Sequence, residues 1–463
     1  MTTFMNEDFL LTSDISKKLY HDYAANCPII DYHNHLSAKD IYERRCFENL
    51  TQVWLEADHY KWRCMRVCGV PEYYVTGAAS DYEKFMKFAE ITPLLIGTPV
   101  YHWVHLELQR YFGIDTVLTS KTADAIWNQT AEMLKNPGFD AVSLLEKANA
   151  KILCTTDDPA DDLEWHLNLA ADTSLPFAVL PSFRPDRFLN IDQAGWGTAI
   201  QQLGDRYGAI TDWDSLIAAL KKSLDFFGQI GCKVTDHGFI QFRYATGNPA
   251  PIVTKALAGE ILSEEEIAIY QGALLNVLGK EYWERNLTMQ LHLGPIRNNS
   301  PKLFASFGAD AGGDSIGAAT DAFKLSAFLQ HLDGQDCLPK TILYNLHPAD
   351  NAMFATMAVN FASDGAKVQY GAAWWLHDHI RGISEQIDQL LETGAMARSV
   401  GMLTDSRALT SFVRHEYYRR ILCDKLGTLV EKGLYPADME TLGMIVENVC
   451  WKNAVEYFGF EVK

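Results

Sequence analysis

The stretch Ile29-Ile30-Asp31-Tyr32-His33-Asn34-His35 ends a short apolar run with two imidazoles, two residues apart. Such a run reads as a buried strand. Side chains on a strand alternate between its faces, so Asp31, His33 and His35 are expected to point the same way. Two imidazoles on one face suit a borderline divalent metal ion. Packing a core asks for no such trio, which separates this motif from a lone structural histidine.

The elements that must position such a motif recur along the chain. Apolar runs at 29–35, 150–156, 177–183, 232–237, 288–293, 341–346, 368–373 and 400–405 mostly end in His, Asp, Ser, Asn or Arg. Near-continuous apolar runs read as parallel strands buried on both faces. The spacers at 161–171, 213–227, 263–278, 318–332 and 383–392 carry helical periodicity, and Ser263 with Glu266 fits a capping box. Strands alternating with helices predict a (β/α)8 TIM-like barrel, whose chemistry sits at the C-terminal ends of the strands. An open doubly wound sheet is the competing architecture. It is disfavoured because no glycine-rich phosphate turn follows the first run.

Residues 38–135 carry no strand pattern and read as helices at 38–50, 50–56, 81–91, 99–112 and 121–134. The expected organisation is therefore a barrel with C-terminal helices from 1–37 and 136–463, and an inserted helical subdomain at 38–135 beside the barrel mouth. A glycine-rich segment at 307–317 lacks the GKS or GKT of a phosphate loop and is expected to form a flap over the pocket.

Composition narrows the function classes. The 463 residues are 48% hydrophobic and 21% charged, with a net charge of −19. That charge argues against nucleic acid or an anionic membrane as partner. No run approaches the roughly 18 apolar residues of a membrane span, and the N-terminus has no apolar signal core. Nine scattered cysteines predict reduced thiols and a cytoplasmic protein. Assembly into a homo-oligomer is left open.

The run ends supply the rest of a site. His33 and His35 come from the first, Arg184 from the third, Gln290, His292 and Arg297 from the fifth, Trp374 and Trp375 from the seventh, and Asp405 and Arg407 from the eighth. Asp405 beside two imidazoles makes a three-donor metal site with open positions. Arg184 and Arg407 can grip a carboxylate or phosphate bidentately. Each also has an ordinary reading: Asp405–Arg407 and Arg184–Asp186 as plain ion pairs, and the tryptophans as core, with alternation sending only one inward. His237, His347 and His377 read as structural. Spacing alone supports a metal-dependent barrel enzyme acting on a small anion.

With His-x-His on the first strand and Asp on the last, the chain resembles the amidohydrolase superfamily. Within it, the chain is similar to the uronate isomerases at residues 30–36, 57–62, 182–186, 290–294, 373–375 and 403–407, a likeness that runs through the whole chain. The resemblance implies an aldose–ketose isomerisation of a small-molecule uronic acid, D-glucuronate to D-fructuronate and D-galacturonate to D-tagaturonate, through a cis-enediol. It implies one divalent metal, zinc being the expected ion, on His33, His35 and Asp405. It gives catalytic roles to Asp405, Tyr60 and Arg184, and substrate contacts to His59, Arg407, His292, Trp374 and Trp375. A carboxylate held by a metal ion is a weakened base. The proton carrier is therefore either a loosely held Asp405 or a hydroxide on the ion. Lys233 begins the fourth run, the wrong end for the lysine that bridges two metals in hydrolytic relatives. The alternatives are a metal-dependent amide or ester hydrolase on the same barrel and a non-catalytic sugar-acid binding protein.

Overall fold

The computed structural model describes residues 3–462. Ten strands form among the described residues: β1 (Ile29–Asp31), β2 (Ala150–Cys154), β3 (Ala178–Leu180), β4 (Ser182–Phe183), β5 (Val234–Phe239), β6 (Thr288–Leu293), β7 (Pro295–Ile296), β8 (Ser315–Ile316), β9 (Thr341–Asn345) and β10 (Val368–Tyr370). All pairs are parallel except the β7–β8 hairpin. The ladders run β1-β2-β3 and β4-β5-β6-β9-β10. β3 and β4 are one expected strand interrupted at Pro181, which has no N–H to give a ladder. The interruption is bridged: Thr155 and Asp157 donate their N–H groups to the carbonyls of Leu180 and Ser182, and Arg184 donates to Asp157.

The eighth expected strand, 400–405, is not a strand. It is an irregular segment that occupies the closing position all the same. The Val400 N–H donates to the Gln369 side chain beside β10. The Asp405 N–H donates to the His33 carbonyl, and His35 N–H to the Ser406 carbonyl. Asp405 itself has φ 49°, in the left-handed region that ends extended structure.

The barrel interior is an apolar cluster including Ile30, Tyr32, Ile152, Val234, Ile342, Tyr344 and Leu403, continuous with Tyr457 and Phe458 of the helix Asn453–Phe458. That helix closes the N-terminal rim. The Tyr457 hydroxyl donates to the carbonyls of Thr341 and Lys367, where β9 and β10 begin. The opposite, C-terminal rim is left for the site.

The spacers fold as helices largely where expected. Trp213–Gln229, Ala322–Asp333 and Ile380–Glu392 form, and Glu264–Glu284 starts on the Ser263–Glu266 capping box. In 38–135 the helices Asp81–Ile91 and Pro99–Phe112 match the expected bounds. The expected helix at 38–50 shortens to Ala38–Tyr42, followed by Arg44 at φ 48°. Within 38–135, among the described residues, one α-helix was not anticipated, His59–Val67. Among the described residues, no helix is long and apolar enough to cross a membrane.

Candidate active site

A cavity of about 520 Å³ opens at the C-terminal rim of the strands. At its floor His33 and His35 converge on Asp405, with Nε2–Oδ1 distances of 3.2 and 3.0 Å. The two backbone hydrogen bonds between 33–35 and 405–406 hold these sequence-remote motifs together. His35 Nδ1 meets the Thr156 hydroxyl, which fixes that ring from behind. Asp405 Oδ2 points away from the imidazoles and accepts from Trp374 Nε1 at 3.0 Å.

The donor set fits a metal ion. One donor atom from each of His33, His35 and Asp405 lies within 4.8 Å of the others. Bonds of about 2.1 Å to one ion would separate its ligand atoms by roughly 3.0–3.4 Å, the spacing of each imidazole from Asp405 here. Two imidazoles and one carboxylate leave further coordination positions for a substrate oxygen.

Asp31 does not join this group. β1 ends at Asp31, so strand alternation does not carry on to His33 and His35. The Asp31 carboxylate, fully buried, instead faces His415 Nε2 at 3.4 Å.

Asp236, on β5, is the residue that sequence reading passed over. It is fully buried and lies 3.1 Å from Arg184 Nη1 and 2.7 Å from His292 Nδ1. His33 Nδ1 is 3.9 Å away. The available signal was its position in the C-terminal half of the fourth run, on the strand that Lys233 precedes. No lysine lines the cavity among the described residues.

Electrostatics follow from these contacts. Burial would raise the Asp236 carboxyl, but Arg184, His33 and His292 hold it well below the usual range. Burial would likewise raise Asp405, and hydrogen bonds from His33 and His35 overcome it, again holding it far down. Burial would lower His33, but Asp236 and Asp405 bring it up overall. Burial dominates at His35, pushed down to about 4. Burial also lowers His292, whose Nε2 has no hydrogen-bond partner in the fold.

The remaining predicted residues distribute as follows. Arg184 lines the cavity and makes both the expected Asp186 contact, at 2.9 Å, and the Asp236 contact. Arg407 also lines it, but its partner is Asp310 at 2.9 Å, not Asp405. His292 sits on the wall, its ring stacked on Tyr344 at 4.3 Å. Trp374 and Trp375 both line the cavity. The expectation that only one would turn inward fails because Trp375 takes φ 47° and starts a turn, which breaks strand alternation. Arg297 lies over the Trp375 ring at 4.6 Å. Gln290 is buried away from the cavity, accepting from Tyr344. His237 and His377 bond backbone carbonyls, as structural histidines do.

His59 and Tyr60 start the unanticipated helix. Asp58 caps it, accepting from the N–H groups of Tyr60 and Lys61. His59 reaches the cavity wall. Tyr60 follows it, its ring stacked on that of His59 at 5.0 Å with Arg414 over it at 4.5 Å. Its hydroxyl is buried without a partner among the described residues.

A family model described as glucuronate isomerase matches residues 1–458. The chain is 47% identical to the uronate isomerase of Caldanaerobacter subterraneus subsp. tengcongensis, over 99% of this chain and all of that protein. It is also 47% identical to the uronate isomerase of Bacillus licheniformis, over 100% and 99% of the two chains. The crystal structure of uronate isomerase from Thermotoga maritima superposes with a TM-score of 0.93 at 35% identity, covering 99% of this chain and 100% of that one. With the cavity at the strand ends and likeness along the full length, this chain belongs to the glucuronate (uronate) isomerase family.

Proposed function

We infer that this cavity interconverts the aldose and ketose forms of hexuronates, D-glucuronate with D-fructuronate and D-galacturonate with D-tagaturonate. The observation that carries the reading is a carboxylate that meets the metal-binding pair through one oxygen and the Trp374 N–H through the other, in a cavity also lined by Arg184 and Arg407. A divalent ion, zinc by its donor preference, would be held by His33, His35 and Asp405 and would supply Lewis-acid polarisation of substrate oxygens.

The chain's own residues do the rest. Asp405 Oδ2 takes the proton from C2 while the Tyr60 hydroxyl gives one to the C1 carbonyl oxygen, giving the cis-enediol. Return of the O2 proton to the Tyr60 oxygen and of the carried proton to C1 gives the ketose. Trp374 Nε1 orients the carrying oxygen. Arg184 and Arg407 bind the acid group and stabilise charge that builds on the enediol. His59 and His292 present ring nitrogens to sugar hydroxyls, and Trp375 covers the sugar face. The Tyr60 ring also braces that of His59, with Arg414 packed over Tyr60.

In this reading 1–37 and 136–463 form the barrel with its C-terminal helices, and 38–135 is a helical insertion that delivers His59 to the mouth. The free thiols support a cytoplasmic setting. A metal-dependent hydrolase is the weaker reading, since among the described residues no lysine lines this cavity to bridge a second ion.

The test is to incubate the enzyme with D-glucuronate and D-galacturonate in heavy water and follow ketose by NMR. Ketose formation supports the reading. Release of acid from an ester panel with no ketose from either uronate overturns it.

A further inference from the structure

Arg407 is the arginine this reading assigns to the substrate's acid group, yet in the folded chain it already holds a carboxylate. Asp310 Oδ2 lies 2.9 Å from Arg407 Nη2. The contact engages one nitrogen of the guanidinium, whereas the stronger mode for a carboxylate uses two. Both partners keep contact with solvent, with side chains 29% and 42% exposed, so the pair is of the weak, replaceable kind.

The surroundings let Asp310 leave without unravelling its loop. The β7–β8 hairpin closes the base. Asp314 ties Arg297 at 3.0 Å and the Asn298 N–H at 2.7 Å. Arg66 donates to the carbonyl of Ala311 next door. A second cavity, of about 630 Å³, shares Ala309, Asp310 and Arg407 with the first, so a displaced side chain has open space beside it. Arg407 holds the Asp310 carboxyl below its ordinary range against the effect of burial, so it is an anion at neutral pH.

We propose that Asp310 is a displaceable internal carboxylate, occupying the anion position of Arg407 until the acid group of the incoming uronate takes it. Resting on the reading of Arg407 as a substrate ligand, this makes Asp310 a positioning residue that sets how tightly the site accepts acidic sugars. A simple latch that holds the loop closed makes the opposite prediction: removing it weakens substrate binding.

The experiment uses the full-length metal-loaded enzyme and two probes. One is KM for D-glucuronate. The other is the Kd, by calorimetry, for D-glucarate, which has no aldehyde to isomerise. Asp310→Asn lowers both constants two- to fivefold, and Asp310→Glu returns them toward wild type. In an Arg407→Lys background Asp310→Asn has at most a weak effect, as coupled residues require. If Asp310→Asn raises both constants or leaves them unchanged while Arg407→Lys raises them tenfold, the Asp310 proposal fails and the Arg407 reading stands. If Arg407→Lys and Arg407→Ala, each folded by circular dichroism, leave both constants unchanged, the Arg407 reading fails first and takes this proposal with it.

Discussion

The Arg184 guanidinium lies 3.1 Å from the Asp236 carboxylate, which has no exposed surface. Arg184 is 25% exposed and reaches the cavity. One end of the pair is thus core and the other is site. Asp236 also fixes His292, so a single buried charge sets the direction of two cavity side chains.

Removing that charge tests the arrangement. An uncompensated buried charge costs about 3–5 kcal/mol; Arg184 keeps Asp186 and some contact with solvent, so Asp236→Ala should lose less than that in urea unfolding. Asp236→Asn keeps the volume and frees Arg184 to turn. Its kcat/KM should fall at least about tenfold, about 1.4 kcal/mol of transition-state stabilisation, mostly through KM. Unchanged kinetics in Asp236→Asn would confine Asp236 to a packing role.

Asp405 carries the proton in the proposed reaction. An amide has the same shape but no basic oxygen, so Asp405→Asn should cut kcat by roughly 10²–10⁴ with KM changed only a few-fold. Steady-state assays with D-glucuronate measure both constants. Near-normal turnover would remove Asp405 from proton transfer and leave it a ligand.

Metal loading has a readout apart from activity. An ion that binds the native chain and not the unfolded one stabilises it by mass action, about 2.7 kcal/mol at one hundred times Kd. Dialysis against a chelator should therefore lower the melting temperature, and zinc should restore it. His35→Ala should melt at one temperature with or without chelator. A wild-type melt indifferent to both treatments, with no metal in elemental analysis, would overturn the assignment of His33, His35 and Asp405 as ligands.

Particular residues show why the sequence was legible in some places and not others. His33, His35 and Asp405 were readable because metal chemistry demands those types and barrel topology puts strand ends together. The helix Asp81–Ile91 was readable because Ser80 and Glu83 cap it locally. Trp375 was misread in orientation, and 400–405 as a strand, because Trp375 and Asp405 take left-handed backbone conformations that period-two alternation cannot foresee. The helix His59–Val67 was missed because its mean hydropathy is low and its main start signal, Asp58, is a single buried residue. Asp236 was missed because its role is defined by Arg184, just after β4, and His292, on β6, partners that only tertiary structure brings near.

Asp157 gives a pH prediction. It sits on the cavity wall with a side chain 13% exposed. Burial pushes its carboxyl up to about 7, although the Thr155 hydroxyl and the Ser182 N–H favour the charged form. No cation offsets the burial: nearby His166, 3.7 Å away, is itself pushed down to about 4 and stays neutral above that. The folded chain therefore holds a proton on Asp157 that the unfolded chain releases near pH 4. Between about pH 4 and 7 the native state binds more protons, so this group's contribution to stability falls as pH rises. It is fully present below pH 4 and gone above 7, a loss of up to about 4 kcal/mol. Asn cannot titrate and keeps an oxygen for Thr155 and Ser182. Asp157→Asn should therefore gain stability over wild type steadily from pH 4 to pH 7 and hold that gain at pH 8. The His166 contribution, common to both proteins, largely cancels in the difference. Urea unfolding of both proteins at four pH values measures it, and a difference independent of pH would place the Asp157 carboxyl in its ordinary range.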